Sequence, residues 1–465
     1  MNQQTRIEKI SQIIARDIDK PHGRQDIPWE DSLVAMPVYL IPLDYLVYNK
    51  YNGRILSRTK SLERQNHTIN VETDEGKKLI EGLLYNTNIV RNKQTLDSLK
   101  KIGQEKVGII TKDGIIIDGN RRAMLLNMAG KNFLKAVVLD ATLEENPLEI
   151  EKLETSFQMG EDEKLGYNPT EKYLKAKQLL ARGVTVANIA NWMGETEATV
   201  KDYLKVMDVM DEYLEYLDLN GIYTQLDGRE DQFITLANQL ATFYDKSSGK
   251  GFDGYKNSDV DDLKFISYDY IRVRYEGKDF RNIGYGVRES HFFGNKDIWS
   301  SFKDCHYRNL ELISNRESKI DFDSENLKAH LDARDSQFLK LTAEATGKSF
   351  LKENLEDHIR KLNNIKYASQ PIKLVNNAFD ALLAIDQKHK ASDNAAVLNQ
   401  IQKITKLTSK MMIDKSPKRI LSEIADSLEL LDLDNLSEDK DAVLEQIKKI
   451  ERTAYKLEKD LKALK

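Results

Sequence analysis

The chain has 465 residues, of which 40% are hydrophobic and 31% are charged, and its single cysteine is Cys305. This length predicts two to four domains, and one cysteine excludes an intramolecular disulfide framework and any cysteine-rich zinc site. The sequence has no apolar run of about 18 residues, and its polar N-terminal segment lacks the apolar core of a signal peptide. We therefore expect a cytoplasmic protein that does not span a membrane.

The first 143 residues have the pattern of an α+β domain behind a short N-terminal segment. Residues 1–35 are predicted to form one amphipathic helix, followed by a linker loop that contains proline and glycine. Residues 36–143 then combine runs of β-branched residues with segments of helical spacing. Strands are expected at 37–48, 107–111, 115–118 and 133–140, helices at 76–86, 92–102 and 120–129, and a flexible polar insertion at 57–75.

Residues 144–215 are predicted to form a mainly helical domain that contains a helix-turn-helix. One helix begins near Asn168, with Thr170 as its candidate N-cap. Two shorter helices follow at 185–193 and 196–207, separated by Gly194. The apolar residues expected to face inward are Ile189, Ala190, Met193, Val200 and Leu204.

The remainder is predicted to be a mixed α/β middle region, residues 216–319, and a helical C-terminal region, residues 320–465. A strand is expected at 265–275, where aromatic and basic residues alternate. The last helix has apolar residues at alternating spacings of four and three, as in the seam of a coiled coil: Val443, Ile447, Ile450, Ala454, Leu457, Leu461 and Leu464. This seam predicts packing either within the C-terminal region or between two copies of the chain in a homodimer.

Charge is unevenly distributed, although the net charge is only −5. Residues 50–135 contain 17 Lys and Arg against 9 Asp and Glu, whereas residues 140–220 contain 8 against 18. The basic N-terminal part favours a ligand that carries phosphate, and the acidic middle part disfavours tight contact with a DNA backbone.

The densest chemical motif lies between residues 108 and 125. A buried strand delivers Asp118-Gly119-Asn120-Arg121-Arg122 to the first turn of a helix. A helix N-terminus offers unpaired N–H groups and the positive end of a dipole, and Gly119 lets a phosphate approach the backbone without a Cβ clash. Arg121 and Arg122 can add bidentate contacts to phosphate oxygens. The motif therefore predicts a phosphate-binding cradle.

The chain resembles the ParB/sulfiredoxin superfamily, whose members carry Gly-x-x-Arg at a strand-to-helix turn. Here that turn is Gly119-Asn120-Arg121-Arg122. Residues 41–54 resemble the family's opening strand and a loop that ends in a nucleotide-contacting arginine, which places Arg54 as a second phosphate ligand. Residues 156–180 resemble the ParB stretch that leads into the helix-turn-helix. The resemblance covers roughly residues 36–210 and implies a ParB-like nucleotide-binding domain for CTP or ATP with Mg²⁺.

Two positions depart from the family pattern. Asn120 stands where ParB has Glu and where sulfiredoxin has its reactive Cys, which excludes sulfiredoxin chemistry. The Glu-Asn-x-x-Arg box, which in ParB helps to hold metal and triphosphate, is replaced by residues 155–159, with Glu154 and Glu161 nearby as alternative Mg²⁺ ligands. Nucleotide binding is therefore expected more firmly than hydrolysis, and the catalytic residues and metal ligands stay unknown.

The DNA-binding signal is mixed. Thr199 and Lys201 lie on the outer face of the second helix of the helix-turn-helix and are the predicted DNA contacts, but acidic residues lie beside them. Lysines of the N-terminal domain are the alternative source of phosphate contacts: Lys100, Lys101 and Lys106.

Three functional hypotheses follow. By resemblance, the chain is a nucleotide-dependent DNA-binding switch of a bacterial, phage or mobile-element system for partition, regulation or defence. The second hypothesis is a ParB-type nuclease or nucleotide hydrolase of an anti-phage system. The third is a protein-interaction scaffold that does not bind DNA.

Overall fold

The computed structural model describes residues 1–65, 68–157, 168–275, 277–314, 336–337, 340, 349–367, 370–386, 389, 394–430 and 440–463. The chain divides into two units, Met1–Lys366 and Tyr367–Lys465. In the described ranges, no helix is both long enough and apolar enough to cross a membrane.

The first unit begins with an α+β domain built on a five-stranded sheet, as predicted for this part of the chain. Its strands are β1 (Arg24–Trp29), β2 (Ser32–Pro42), β3 (Gly108–Thr111), β4 (Ile116–Asp118) and β5 (Phe133–Leu139). They are ordered β1-β2-β5-β3-β4, with β3 and β5 parallel and the other neighbours antiparallel. Both faces of the sheet are apolar, since residues of β2, β3, β4 and β5 divide between two separate core clusters, and β1 adds Ile27 to one of them.

Five helices belong to this domain: α1 (Gln3–Asp17), α2 (Leu56–Arg64), α3 (Asp74–Asn86), α4 (Ile89–Lys101) and α5 (Asn120–Met128). Their apolar side chains cover one face of the sheet. In this cluster Ile10, Ile80 and Leu125 pack with Ile41 and Ile110, which all have 0–1% of their surface exposed. This packing holds α5 against the sheet, with its first turn next to the C-terminal end of β4.

Residues 24–35, predicted to be a loop, are strands instead. They form the hairpin of β1 and β2, in which Glu30 and Asp31 have φ angles of 47° and 62°. Two such residues make the tight turn whose twist suits a hairpin. Ile27 is fully buried at the centre of β1, and Pro28 is tolerated because β1 is an edge strand. The prediction was wrong because it rested on the glycine and proline residues, which are common in loops, and did not foresee that Ile27 would be buried in a strand.

The insertion predicted at 57–75 is also wrong in its first half. Residues 56–64 form α2, and Ser57, Thr59 and Ser61 on this helix are buried although they are polar. Their burial results from packing against helices much later in the chain, since Ser57 bonds to Glu171 at a separation of 114 residues. The polar composition of this segment therefore predicted solvent exposure, whereas the structure buries these side chains between α2 and later helices.

In the rest of the first unit, the regular elements of the described residues are all helices, joined by loops. Its helices are α6 (Pro147–Thr155), α7 (Pro169–Ala181), α8 (Val186–Met193), α9 (Glu197–Tyr216), α10 (Glu230–Asp245), α11 (Asn257–Arg272), α12 (Gly277–Phe280), α13 (Lys296–Ser314) and α14 (Phe350–Tyr367). The predicted mixed middle region and the strand at 265–275 are therefore wrong. Val260, Leu263, Ile266, Tyr270 and Ile271 are spaced for one buried helix face instead.

Helices α8 and α9 lie at the predicted positions. Thr185 and Thr196 cap them, each accepting a hydrogen bond from the backbone N–H three residues later, and Gly194 between them has a φ of 68°. The N-cap of α7 is Asn168 rather than Thr170, because the Asn168 side chain accepts from the Thr170 N–H at 3.0 Å. The assignment of α8 and α9 as a DNA-binding helix-turn-helix stays a prediction.

The second unit contains α15 (Pro371–Leu383), α16 (Ala395–Lys415), α17 (Pro417–Glu429) and α18 (Lys440–Ala463). The predicted coiled-coil seam lies on α18, except for Leu464, which is outside the described residues. Ile447, Ile450 and Leu457 on this seam are 42–44% exposed. The described part of the chain therefore leaves the seam uncovered, and pairing with a second copy stays a prediction.

Candidate phosphate-binding site

The turn between β4 and α5 has a backbone that glycine alone adopts readily. Gly119 has a φ of 104° and stands at the N-cap of α5. A Cβ at this position would lie 3.3 Å from Arg122 Nη1 and 3.5 Å from Gly108 Cα. Strain and crowding therefore both favour glycine, and the helix N-terminus begins directly beyond it.

A cavity of about 340 Å³ opens beside this turn. All five residues predicted to bind nucleotide line it, although Arg54 is more than 60 positions away in sequence from the others. The complete lining is Asn52, Arg54, Arg91, Thr95, Ser98, Leu99, Gly103, Glu105, Lys106, Asp118, Gly119, Asn120, Arg121, Arg122 and Leu125. Five of these side chains are cationic and two are carboxylates, so the cavity favours an anionic ligand.

The two arginines of the turn are held by neighbouring polar groups. Arg121 donates from Nη2 to the Thr95 hydroxyl at 3.2 Å, which links α5 to α4. Arg122 donates from Nη1 to the Val107 carbonyl at 3.2 Å and lies 3.9 Å from an Asp118 carboxylate oxygen. These contacts orient two guanidinium groups at the cavity wall, where each has five N–H donors in a planar fork.

Arg54 reaches the cavity from a loop that is ordered by its own side chains. Asn52 is 3% exposed, and its Oδ1 accepts from the Arg54 backbone N–H at 3.1 Å. The Asn52 carbonyl accepts from the Ile55 N–H at 3.0 Å. This Asx turn fixes the backbone that carries Arg54 just before α2 begins.

Asn120 lines the cavity, but its side chain serves the fold. It is 2% exposed, its Oδ1 accepts from the Asn49 backbone N–H at 2.9 Å, and its Nδ2 donates to the Ile116 carbonyl at 2.9 Å. A phosphate at this turn would therefore meet the backbone of Asn120 rather than its amide.

Sequence reasoning missed the contribution of α4. Arg91, Thr95 and Ser98 line the cavity from this helix, and Lys106 follows in the next loop. The spacing of four and three residues places the three helical positions on one face, which was the available signal. Lys106 was predicted only as a DNA contact, because nothing in the sequence placed it beside Gly119.

Of the two alternative metal ligands, Glu154 does not line the cavity. Glu154 is 5% exposed, accepts from Asn49 Nδ2 at 3.0 Å and lies 3.7 Å from Lys175 Nζ. Glu161 is outside the described residues. Within the described ranges, no group of three or more His, Cys, Asp or Glu is placed to hold a metal ion.

The predicted DNA contacts lie apart from this cavity, on α9. The Thr199 hydroxyl is 2.8 Å from the Thr196 hydroxyl at the helix cap. Lys201 is exposed, and its Nζ lies 3.9 Å from a carboxylate oxygen of Glu197. The cap contact and the acidic neighbour both reduce the suitability of this face for contacting DNA.

Comparison with protein-family models and with curated proteins finds no match. Among solved structures, the chain is similar to the C-terminally truncated chromosome-partitioning protein ParB from Caulobacter crescentus, complexed with CTP-γ-S. The sequence identity is 15%, the TM-score is 0.18, and the match covers 43% of this chain and 92% of that chain.

Proposed function

We propose that the cavity beside Gly119 binds the phosphate groups of a nucleoside triphosphate, CTP or ATP. The observation that carries this proposal is the convergence of five cationic side chains with the first turn of α5 at one cavity of about 340 Å³. Helix N-termini and arginine forks are the groups that proteins use to bind phosphate. CTP and ATP are preferred because the turn and its flanking motifs resemble those of ParB.

The lining of the cavity also fits a magnesium ion bound with the triphosphate. Glu105 and Asp118 are carboxylates at the cavity, and Mg²⁺ is usually bound through one or two carboxylates together with substrate phosphates. The ion would neutralise part of the phosphate charge that the arginines leave uncompensated.

We further propose that DNA binding, where it occurs, depends on nucleotide and on the basic N-terminal domain. Lys100 and Lys101 are exposed at the C-terminal end of α4 and Lys106 is exposed in the loop that follows, whereas Lys201 has an acidic neighbour. Phosphate contacts by lysine supply most non-specific affinity for DNA. The chain is thus proposed to act as a nucleotide-dependent DNA-binding switch, with the acidic α9 limiting its affinity.

A thermal-shift panel tests nucleotide binding. Each of the four nucleoside triphosphates with Mg²⁺ is added to the full chain, and a ligand of the folded state should raise its melting temperature. Arg121→Ala or Arg122→Ala should abolish that increase, because each removes charge-assisted contacts worth roughly 1.5–3 kcal/mol. Lys93→Ala is the matched control, since Lys93 is exposed on α4 and does not line the cavity. Unchanged nucleotide affinity in both arginine variants would refute the proposal.

A further inference from the structure

Asn49 makes three hydrogen bonds through its backbone N–H and its side chain at the base of the candidate site. Its backbone N–H donates to Asn120 Oδ1 at 2.9 Å, and its Oδ1 accepts from the Tyr51 N–H at 3.0 Å. Its Nδ2 donates to Glu154 Oε1 at 3.0 Å. Asn49 is 5% exposed and does not line the cavity.

These bonds connect both cationic walls of the cavity to one residue. Asn120 is the first residue of α5, which carries Arg121 and Arg122. On the other side, the Asn49 carbonyl accepts from the Asn52 N–H at 3.1 Å, and Asn52 in turn holds the Arg54 N–H. The bonds to Asn120 and Asn52 use the backbone of Asn49, whereas its side chain bonds to the Tyr51 N–H and to Glu154. Loss of the Glu154 contact would therefore release the Asn49 side chain, and it would act on the loop of Arg54 and on the start of α5 through the backbone of Asn49.

The orientation of Asn49 depends on a buried charge from another part of the chain. Glu154 lies on α6, and its partner Lys175 lies on α7. Lys175 Nζ is 3.0 Å from Glu151 Oε1 and 3.7 Å from Glu154 Oε2, and all three side chains are only 4–7% exposed. Buried charges are costly unless they are paired, so this cluster has a strongly preferred geometry.

We infer that Glu154 is a positioning residue of the phosphate-binding site. Through Asn49, it holds the Arg54 loop and the N-terminus of α5 in the geometry that receives phosphate, although it does not line the cavity itself. The inference rests on the proposed nucleotide binding. It differs from the sequence-based expectation for Glu154, because the carboxylate acts on the protein's own amide and not on a metal ion.

Glu151 provides a matched control. Glu151 and Glu154 lie on the same helix, are equally buried at 5% exposure and both contact Lys175, but of the two only Glu154 is hydrogen-bonded to Asn49. Affinity for CTP with Mg²⁺ and for ATP with Mg²⁺ is measured by titration calorimetry on the full chain. Glu154→Met should weaken binding about tenfold, or about 1.4 kcal/mol. The affinity of Glu151→Met should stay within about twofold of the wild type, or about 0.4 kcal/mol. This should hold even if the substitution lowers stability, because Glu151 is not hydrogen-bonded to Asn49.

Two further variants separate positioning from general stability. Glu154→Gln retains an acceptor for Asn49 and should restore near-wild-type affinity. In an Asn49→Ala background, Glu154→Met should cause no additional loss, as expected when two residues act through one contact. Equal weakening by Glu151→Met and Glu154→Met would overturn the inference, as would full additivity of the Asn49 and Glu154 substitutions.

Hydrogen exchange of the ligand-free protein tests the positioning role without nucleotide. Amides of residues 50–55 and 119–123 should exchange faster in Glu154→Met than in Glu151→Met, because local opening is easier once the Asn49 contact is lost. If the wild type binds neither CTP nor ATP, the proposed function fails. The exchange rates of the ligand-free protein still show whether Glu154 positions residues 50–55 and 119–123. Equal exchange in the two variants would overturn the inference.

Discussion

Glu171 on α7 is a buried carboxyl group through which pH should act on stability, and the change to test is Glu171→Gln. It is 1% exposed, and its carboxylate accepts from the Ser57 N–H at 2.9 Å and from the Ser57 hydroxyl at 2.6 Å. Burial raises the pKa of Glu171 from 4.5 to about 7, although the hydrogen bonds from Ser57 and the charge of Arg58 oppose this rise. The group therefore titrates in the folded protein near neutral pH.

The raised pKa sets the direction of the effect. Between pH 4.5 and about 7, the folded state keeps a proton on Glu171 that the unfolded state has lost. The contribution of this group to the unfolding free energy is therefore full below pH 4.5 and disappears as the pH rises through about 7. From about pH 5 to about pH 7.5 the loss is about 2 kcal/mol, because each pKa unit corresponds to about 1.4 kcal/mol.

Urea unfolding at about pH 5 and about pH 7.5 measures this contribution. Because glutamine does not titrate, the unfolding free energy of Glu171→Gln relative to wild type should rise by about 2 kcal/mol between the two pH values. Glu356→Gln is the control, since its side chain is 56% exposed beside Lys352, and its profile should run parallel to that of the wild type. Parallel profiles for Glu171→Gln and the wild type would refute the reasoning.

Three further predictions concern stability, self-association and DNA. Burial lowers the pKa of His291 from 6.5 to about 4, so the unfolding free energy should fall by about 3 kcal/mol as the pH drops from 6.5 to about 4. If the unfolding free energy of His291→Gln depended on pH in the same way as that of the wild type, this prediction would be wrong. Leu457→Lys places a charge on the exposed seam of α18 and should reduce the mass measured by light scattering, whereas equal masses would exclude pairing through the seam. DNA affinity should be weak and salt-sensitive, should increase with nucleotide, and should fall more in the Lys100→Ala/Lys101→Ala double variant than in Lys201→Ala. Tight, nucleotide-independent binding that only Lys201→Ala removes would instead indicate a repressor-like role.

The sequence alone determined the elements whose signals are local. Residues 115–117 form an apolar run, Gly119 permits the left-handed turn, and the following residues have helical spacing, so the strand, the turn and α5 were all predictable. The caps Thr185 and Thr196 were equally readable, because an N-cap bonds within three residues of itself.

Only the tertiary structure decided which distant residues share the site. Arg54 was predicted as a phosphate ligand from the resemblance to ParB, whereas Arg91 was not. Arg91 meets the turn at Gly119 because α4 packs beside α5 and lines the same cavity. Asn120 was predicted to bind nucleotide, and packing uses its side-chain amide for bonds to Asn49 and Ile116. Residues 265–272 alternate like a strand, yet they are helical because their neighbours bury a helical face. Each of these outcomes depends on long-range contacts, which a sequence pattern of a few residues does not encode.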